Sequence, residues 1–177
     1  RTGVCLEDDT RIPADIIVFA TGFDAMTGSL LKMGIVGRGE LTLAEAWAEG
    51  PQTYLGLAIH GFPNLLTITG PGSPSVLTNM PRAIEQHIDW ITTLLRRTKA
   101  RSMNLVEAEL SAMQDWTNHV TAVANDTLLP RAGHSWYLGA NVPGKPRVFM
   151  PYCKGLDVFR AHCEQVATDG YPGFSLR

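Results

Sequence analysis

Between Pro71 and Ile84 the chain carries no Asp or Glu, and its one charged side chain there is Arg82. The segment Pro71-Gly72-Ser73-Pro74-Ser75-Val76-Leu77-Thr78-Asn79-Met80 runs directly into a helical pattern. Asn79 suits the N-cap, and Pro81 suits the first turn, where its missing N–H costs nothing. A helix N-terminus offers unpaired N–H groups and a partial positive charge, so Arg82 opposes the dipole at about 0.3–1 kcal/mol if exposed. An anion or an electron-rich ligand at this end would account for the composition. Arg82 turned out into solvent would account for it as well.

The elements that must hold this loop can be read on either side of it. Ile84, Ile88, Ile91 and Leu95 recur at helical spacing, which predicts a helix over about 79–99 with those residues on its buried face. Arg96, Arg97 and Lys99 complement its C-terminal end. A second helix is expected over about 106–128, with Leu110, Met113, Trp116, Val120 and Val123 on one face and Pro130 as its stop. Asp15-Ile16-Ile17-Val18-Phe19-Ala20-Thr21-Gly22 and Asn64-Leu65-Leu66-Thr67-Ile68-Thr69-Gly70 are apolar runs without helical period. They read as strands buried on both faces, hence an α/β fold. Gly22 would permit a sharp exit turn. Val4-Cys5-Leu6, a turn at Glu7-Asp8-Asp9-Thr10, and Ile12 form a hairpin pattern. Such a hairpin, reached from Arg1 with no preceding core element, reads as part of a longer protein. Residues 23–64 are irregular apart from a short helical stretch at Leu43–Ala48. The Gly- and Pro-rich tail from Arg131 suggests a long loop bearing Ser135-Trp136-Tyr137 and a short strand at Val148-Phe149-Met150. Long loops of this kind are functional or mobile.

Composition excludes several functions. With 45% hydrophobic and 18% charged residues the chain has globular balance, and a formal net charge of −2 gives no global attraction to nucleic acid or anionic membranes. The three cysteines, Cys5, Cys153 and Cys163, form no C-x-x-C pair, so a disulfide framework is not expected and a reducing cytoplasm is the default. No metal-ligand spacing, G-x-S-x-G, Walker A or G-x-G-x-x-G pattern occurs. No apolar run reaches membrane-span length and no secretory signal is visible.

Several blocks taken in order resemble the last third of type I Baeyer–Villiger monooxygenases, and the phenylacetone monooxygenase subgroup most. These are Asp15-Ile16-Ile17-Val18-Phe19-Ala20-Thr21-Gly22-Phe23-Asp24, then Gly50 to Leu57 with Gly61-Phe62-Pro63-Asn64-Leu65. Gly70-Pro71-Gly72-Ser73-Pro74-Ser75 with Asn79-Met80 follows, and then Ser135-Trp136-Tyr137 with Gly139 to Met150. The A-T-G segment alone is weak; the ordered set covers nearly the whole chain. Val76 stands where this subgroup often has a smaller residue, Thr78 replaces a serine, and Pro81 replaces a leucine. These departures bear on substrate range.

The resemblance implies a flavoprotein with two dinucleotide-binding domains. Residues 1–22 would be the end of the NADP-binding domain and its return linker. Residues 23–177 would be the C-terminal part of a Rossmann-like FAD-binding domain with a helical, loop-rich tail and a control loop at about 131–147. It further implies that NADPH reduces FAD, that a C4a-peroxyflavin forms with O2, and that a ketone becomes an ester or lactone. Asn79 and Met80 would face the flavin through their amides. Ser75, Val76, Leu77, Thr78 and Met150 would line the ketone pocket. Trp136 would contact the nicotinamide cofactor, and Thr21 and Gly22 would lie near the dinucleotide at the hinge. No catalytic residue is assignable within these residues. Both G-x-G-x-x-G sites and the arginine that stabilises the peroxyflavin are expected in an N-terminal portion of the same protein, without which the chain is expected to hold no flavin. Two other functions stay open: an N- or S-oxygenating flavin monooxygenase, which shares the A-T-G segment, and a non-catalytic cofactor-binding or interaction module.

Overall fold

In the computed structural model, residues 3–20 and 22–177 are described, Val76 without its side chain. The expected hairpin forms: β1 (Gly3–Cys5) pairs antiparallel with β2 (Arg11–Pro13), with Val4 opposite Ile12. The run that follows does not become a buried strand. Residues 15–20 carry no strand pairing, and Ile16, Val18, Phe19 and Phe23 are 79–84% exposed. A strand exists through its neighbours, and the described residues offer this one none. Gly22 does adopt a positive φ, +80°, the backbone freedom expected of it. The second apolar run is also not a strand. Leu66 makes one isolated bridge to Ala58, and Asn64 and Thr69 adopt positive φ, which breaks the alternation a strand needs.

The short helices α1 (Gly28–Lys32) and α2 (Leu43–Ala46) follow, the latter started by a Thr42–Glu45 capping box. α3 (Met80–Ala100) matches the expected helix closely. Asn79 is its N-cap, with Oδ1 accepting from the Arg82 N–H at 3.3 Å, and Pro81 lies in the first turn. Its buried face differs from the expectation. Ala83, His87, Trp90, Leu94 and Thr98 face inward, while Ile88 and Leu95 stay 45% and 48% exposed. The reason lies across the interface. Trp90 donates its indole N–H to the Cys163 carbonyl at 2.8 Å and packs edge-on against Tyr171 at 5.2 Å. That pairing sets the helix rotation and leaves the isoleucine stripe to one side.

The expected second helix divides in two. Val106–Ala108 is a strand, β3, and α4 spans Leu110–Asn125, ending before Pro130. Met113, Trp116, Val120 and Val123 are buried as expected, but Leu110 is not. Val148–Met150 is not a strand; the Met150 main chain bonds instead to Gly72 and Tyr137 in other loops. Two further elements lie in the tail. α5 (Leu156–Thr168) buries Phe159, Cys163 and Val166, and β4 (Phe174–Leu176) pairs antiparallel with β3. The described sheets are therefore two antiparallel pairs, and no parallel α/β sheet appears among the described residues. The core lies between α3, α4, α5, the β3–β4 pair and the segment 43–62, which contributes Leu43, Leu55, Leu57, Ile59 and Phe62.

A buried carboxylate ties the irregular segment to this core. Glu107 on β3, 5% exposed, accepts from Arg38 Nη2 at 2.7 Å and from the Gly61 N–H at 3.0 Å. The Arg38 guanidinium holds its carboxyl below the ordinary carboxylate range. His87 is fully buried and accepts from the Thr69 N–H through Nδ1 at 2.8 Å, which puts its proton on Nε2. Burial lowers its pKa from 6.5 to about 4.

The unfolded chain thus binds a proton at His87 before the folded chain does. Stability is full above pH 6.5 and falls as the pH drops from 6.5 towards 4, by about 3 kcal/mol at most. Guanidinium unfolding between pH 4 and 7 should show this slope, and His87→Gln should remove it. An equal slope in the variant would assign it to other groups. Arg38→Ala, which leaves the Glu107 carboxylate without its cation, should lower stability in the same measurement at pH 7.

Candidate functional site

The Pro71–Met80 loop is held from beneath by main-chain bonds. Gly72 donates to the Met150 carbonyl at 2.7 Å and accepts from Trp116 Nε1 at 3.0 Å. Its φ is +84°, and a Cβ there would lie 3.1 Å from Trp116 Nε1 and 3.2 Å from Thr53 Oγ1. Thr53 Oγ1 donates to the Pro71 carbonyl and accepts from the Gly56 N–H. Ser73 accepts at its carbonyl from the Tyr152 N–H at 2.8 Å, and the Tyr152 ring stacks on Trp116 at 5.3 Å. Trp116 thus serves the loop with its edge and the core with its face. Nothing in the sequence marked this role, because its partner lies 44 residues away.

Above this floor the loop rises as a 3-10 turn over Ser75–Leu77. Ser75 is buried with φ +32°, and its Oγ has no partner among the described residues. A non-glycine residue at positive φ and an unpaired buried hydroxyl are both costly, and such costs gather at functional sites. Leu77, Thr78 and Met80 are half-buried, and Asn79 is exposed. The Asn79 cap satisfies the Arg82 N–H, while the N–H groups of Asn79 and Met80 have no acceptor among the described residues. The first turn of α3 contains no acidic residue. Among the described residues this end therefore presents two donors without an acceptor and a positive dipole with no built-in anion.

Burial favours the neutral forms of the groups beneath. Burial raises the Tyr152 phenol above its ordinary value and lowers His119, whose Nε2 lies 3.4 Å from the Tyr152 hydroxyl.

The other expected site segments join the loop through a relay of contacts. The Met150 N–H donates to the Tyr137 carbonyl at 2.9 Å, so one residue bonds both the Pro71–Met80 loop and the Trp136 turn. The Met150 side chain itself is 3% exposed and backs onto a void of only about 20 Å³ between Gly72 and Trp116. Trp136 opens a short turn (Trp136–Leu138) capped by Ser135 Oγ, with its ring 4.4 Å from that of Tyr137. Its indole N–H has no acceptor among the described residues. Asn141 Nδ2 donates to the Phe23 carbonyl at 3.1 Å, and Lys145 pairs with Asp24, which brings the same loop to the residues after Gly22. Thr21 lies outside the described residues, as does the side chain of Val76. The larger clefts lie elsewhere. One of about 540 Å³ runs between α3 and α5, and one of about 510 Å³ is lined by Trp116, His119 and His162. Among the described residues no group of three His, Cys, Asp or Glu could hold a metal, and no helix is long and apolar enough to cross a membrane.

Trp116→Phe keeps an aromatic face for Tyr152 but deletes the donor to Gly72 and part of the ring, so it should cost at least about 1–2 kcal/mol. Gly72→Ala should cost more, since it adds a crowded Cβ at positive φ. Urea unfolding followed by far-ultraviolet circular dichroism measures both, and a smaller loss for Gly72→Ala would contradict the role given to Gly72.

The chain matches no family model. It is similar over 99% of its length to the acetone monooxygenase (methyl acetate-forming) of Gordonia sp. (strain TY-5), at 38% identity and covering 33% of that protein. A Baeyer-Villiger monooxygenase of Pseudooceanicola batsensis is 38% identical over 96% of the chain and 30% of that protein. A phenazine N-monooxygenase of Lysobacter antibioticus is 37% identical over 98% of the chain and 32% of its own length. Among solved structures, the NADP+-bound cyclohexanone monooxygenase from Rhodococcus sp. Phi1 superposes with a TM-score of 0.92 at 38% identity, over 99% of this chain and 33% of that one. An oxidised steroid monooxygenase bound to NADP gives 0.87 at 48% identity, over 99% and 32%. The resemblance read from the sequence blocks is borne out, and the chain spans about a third of the length of the relatives it matches.

Proposed function

We propose that this chain is the flavin-side part of a Baeyer–Villiger monooxygenase that uses FAD and NADPH. In this reading residues 1–22 end the NADP-binding domain and return the chain. Residues 23–177 complete the Rossmann-like FAD-binding domain, and the rest of the cofactor cradle comes from other segments of the same protein. The single observation that carries the reading is the end of α3: two free N–H groups, a positive dipole and no acidic residue in the first turn. A reduced flavin is electron-rich along one edge of its ring, and such an end stabilises that charge without reorganising. The similarity to ketone-oxidising relatives over the whole chain supports it.

When bound, the flavin passes two electrons from NADPH to O2. One oxygen atom enters the ketone between the carbonyl carbon and its neighbour: a C–C bond breaks, two C–O bonds to the inserted atom replace it, and the second oxygen leaves as water. Ketone, O2, NADPH and one proton give ester or lactone, water and NADP+. In this scheme the amides of Asn79 and Met80 hold the flavin edge. Ser75, Val76, Leu77 and Thr78 bound the ketone pocket, and Met150 backs it, its thioether tolerant of varied shapes. Trp136 offers its unpaired indole N–H to the nicotinamide cofactor and keeps water out, with Thr21 and Gly22 beside the same cofactor. The partners follow: a small ketone, O2 and the remainder of the protein, in a cytoplasmic setting, with no role for nucleic acid or membrane.

The second reading is N-oxygenation, which the match to the phenazine enzyme favours. The complete protein, supplied with NADPH and a panel of ketones, sulfides and aromatic amines, should form esters or lactones. N-oxide or sulfoxide products alone would overturn the proposal. Trp136→Ala in the complete protein should raise the share of NADPH electrons released as hydrogen peroxide. Unchanged coupling would remove Trp136 from the cofactor role.

A further inference from the structure

The Trp136 loop is fastened to the segment after Gly22 by a contact that the proposed chemistry does not use. Lys145 Nζ pairs with Asp24 Oδ1 and lies 3.4 Å from the Ala25 carbonyl. Side-chain exposure is 11% for Lys145 and 27% for Asp24, so this is not a loose surface pair. Surface pairs contribute little, whereas a pair shielded from solvent and backed by a further hydrogen bond fixes geometry. Asn141 Nδ2 adds a second tie to the Phe23 carbonyl at 3.1 Å.

Both charged partners sit over glycines. A Cβ on Gly28 would lie 2.6 Å from the Asp24 side chain, and a Cβ on Gly139 would lie 3.1 Å from Lys145 Cδ. Gly28 is buried at the start of α1, and Gly139 sits at φ +70° directly after the Trp136–Leu138 turn. The lysine stem therefore lies across the residue that ends that turn, and its ammonium reaches a carboxylate 121 residues away.

We propose that Asp24 and Lys145 are positioning residues forming a latch. Their ion pair fastens the loop that carries Trp136 to the stretch just after Gly22, and so sets where Trp136 stands relative to the nicotinamide cofactor. The latch rests on the reading of this chain as part of a flavin monooxygenase, but the fastening of the loop can be tested without catalysis. Releasing it should let the loop leave the site more often while the core stays intact, because neither partner belongs to the buried cluster.

The test uses the complete protein and three variants: Asp24→Asn, Lys145→Gln and the double substitution. Hydrogen–deuterium exchange of residues 135–147 should rise about five- to tenfold in each single variant with NADP+ present. The double variant should match the singles, since two ends of one contact cannot be lost twice. Hydrogen peroxide released per NADPH should rise in parallel, with melting temperatures within about 2 °C of the parent. Unchanged exchange in both singles overturns the latch, as does an additive double variant or a large fall in melting temperature. Raised exchange with unchanged peroxide release overturns the positioning of Trp136. A parent protein that oxidises no ketone overturns the proposed function instead, and the exchange result still decides the latch.

Discussion

A side chain at Gly72 would be crowded by Trp116 and Thr53, and both of its main-chain groups are committed. The N–H goes to Met150 and the carbonyl to Trp116. Because the backbone there turns through positive φ with a tryptophan edge pressed against it, the loop can take one path only. That path delivers Ser75 to its strained position and starts α3 where its free amides face outward. It also fixes Met150, whose own N–H carries the Trp136 turn. Groups held within a fraction of an ångström need well-packed supports, and here the supports are an aromatic stack and a glycine rather than a charge.

The sequence revealed the parts whose signals are local. A cap, a proline in the first turn and a long amphipathic run located α3, and the Asn79 cap forms as expected. The orientation of that helix was hidden because it depends on Trp90 reaching Cys163, 73 residues away. Isoleucines outweigh a histidine and a tryptophan in a periodicity count, yet His87 and Trp90 are the buried ones. β-branched runs at 15–22 and 64–70 carried genuine strand propensity, but pairing is a property of two segments and no single segment encodes it. α5 could have been found: Leu156, Phe159, Cys163 and Val166 have helical spacing. The glycines and prolines on either side, Pro151, Gly155, Gly170 and Pro172, gave the tail the composition of a loop.

For the site, the segments were legible and their connections were not. Pro71–Met80, Trp136 and Met150 stood out as unusual stretches, but the bonds joining them run through main chain, which carries no residue identity. The further tie from the Trp136 loop to the stretch after Gly22, Lys145 to Asp24, joins two residues of ordinary surface type. Elsewhere, the unpaired 15–20 stretch and the half-exposed Ile88 and Leu95 leave large apolar areas in water. Contiguous areas of that kind mark surfaces that other protein covers, which agrees with a chain spanning a third of its relatives.

The stacking of Tyr152 on Trp116 has a consequence for how the protein comes into being. The Pro71–Met80 loop leaves the ribosome long before its floor exists. Trp116 follows 44 residues later, and Met150 and Tyr152 later still. At about 5–20 residues per second, the loop spends several seconds with Gly72 unclasped and Ser75 free to relax. The strained geometry cannot be set during that interval. It is imposed from behind, by residues made afterwards, so the most exacting stretch of the chain is among the last to acquire its shape during synthesis.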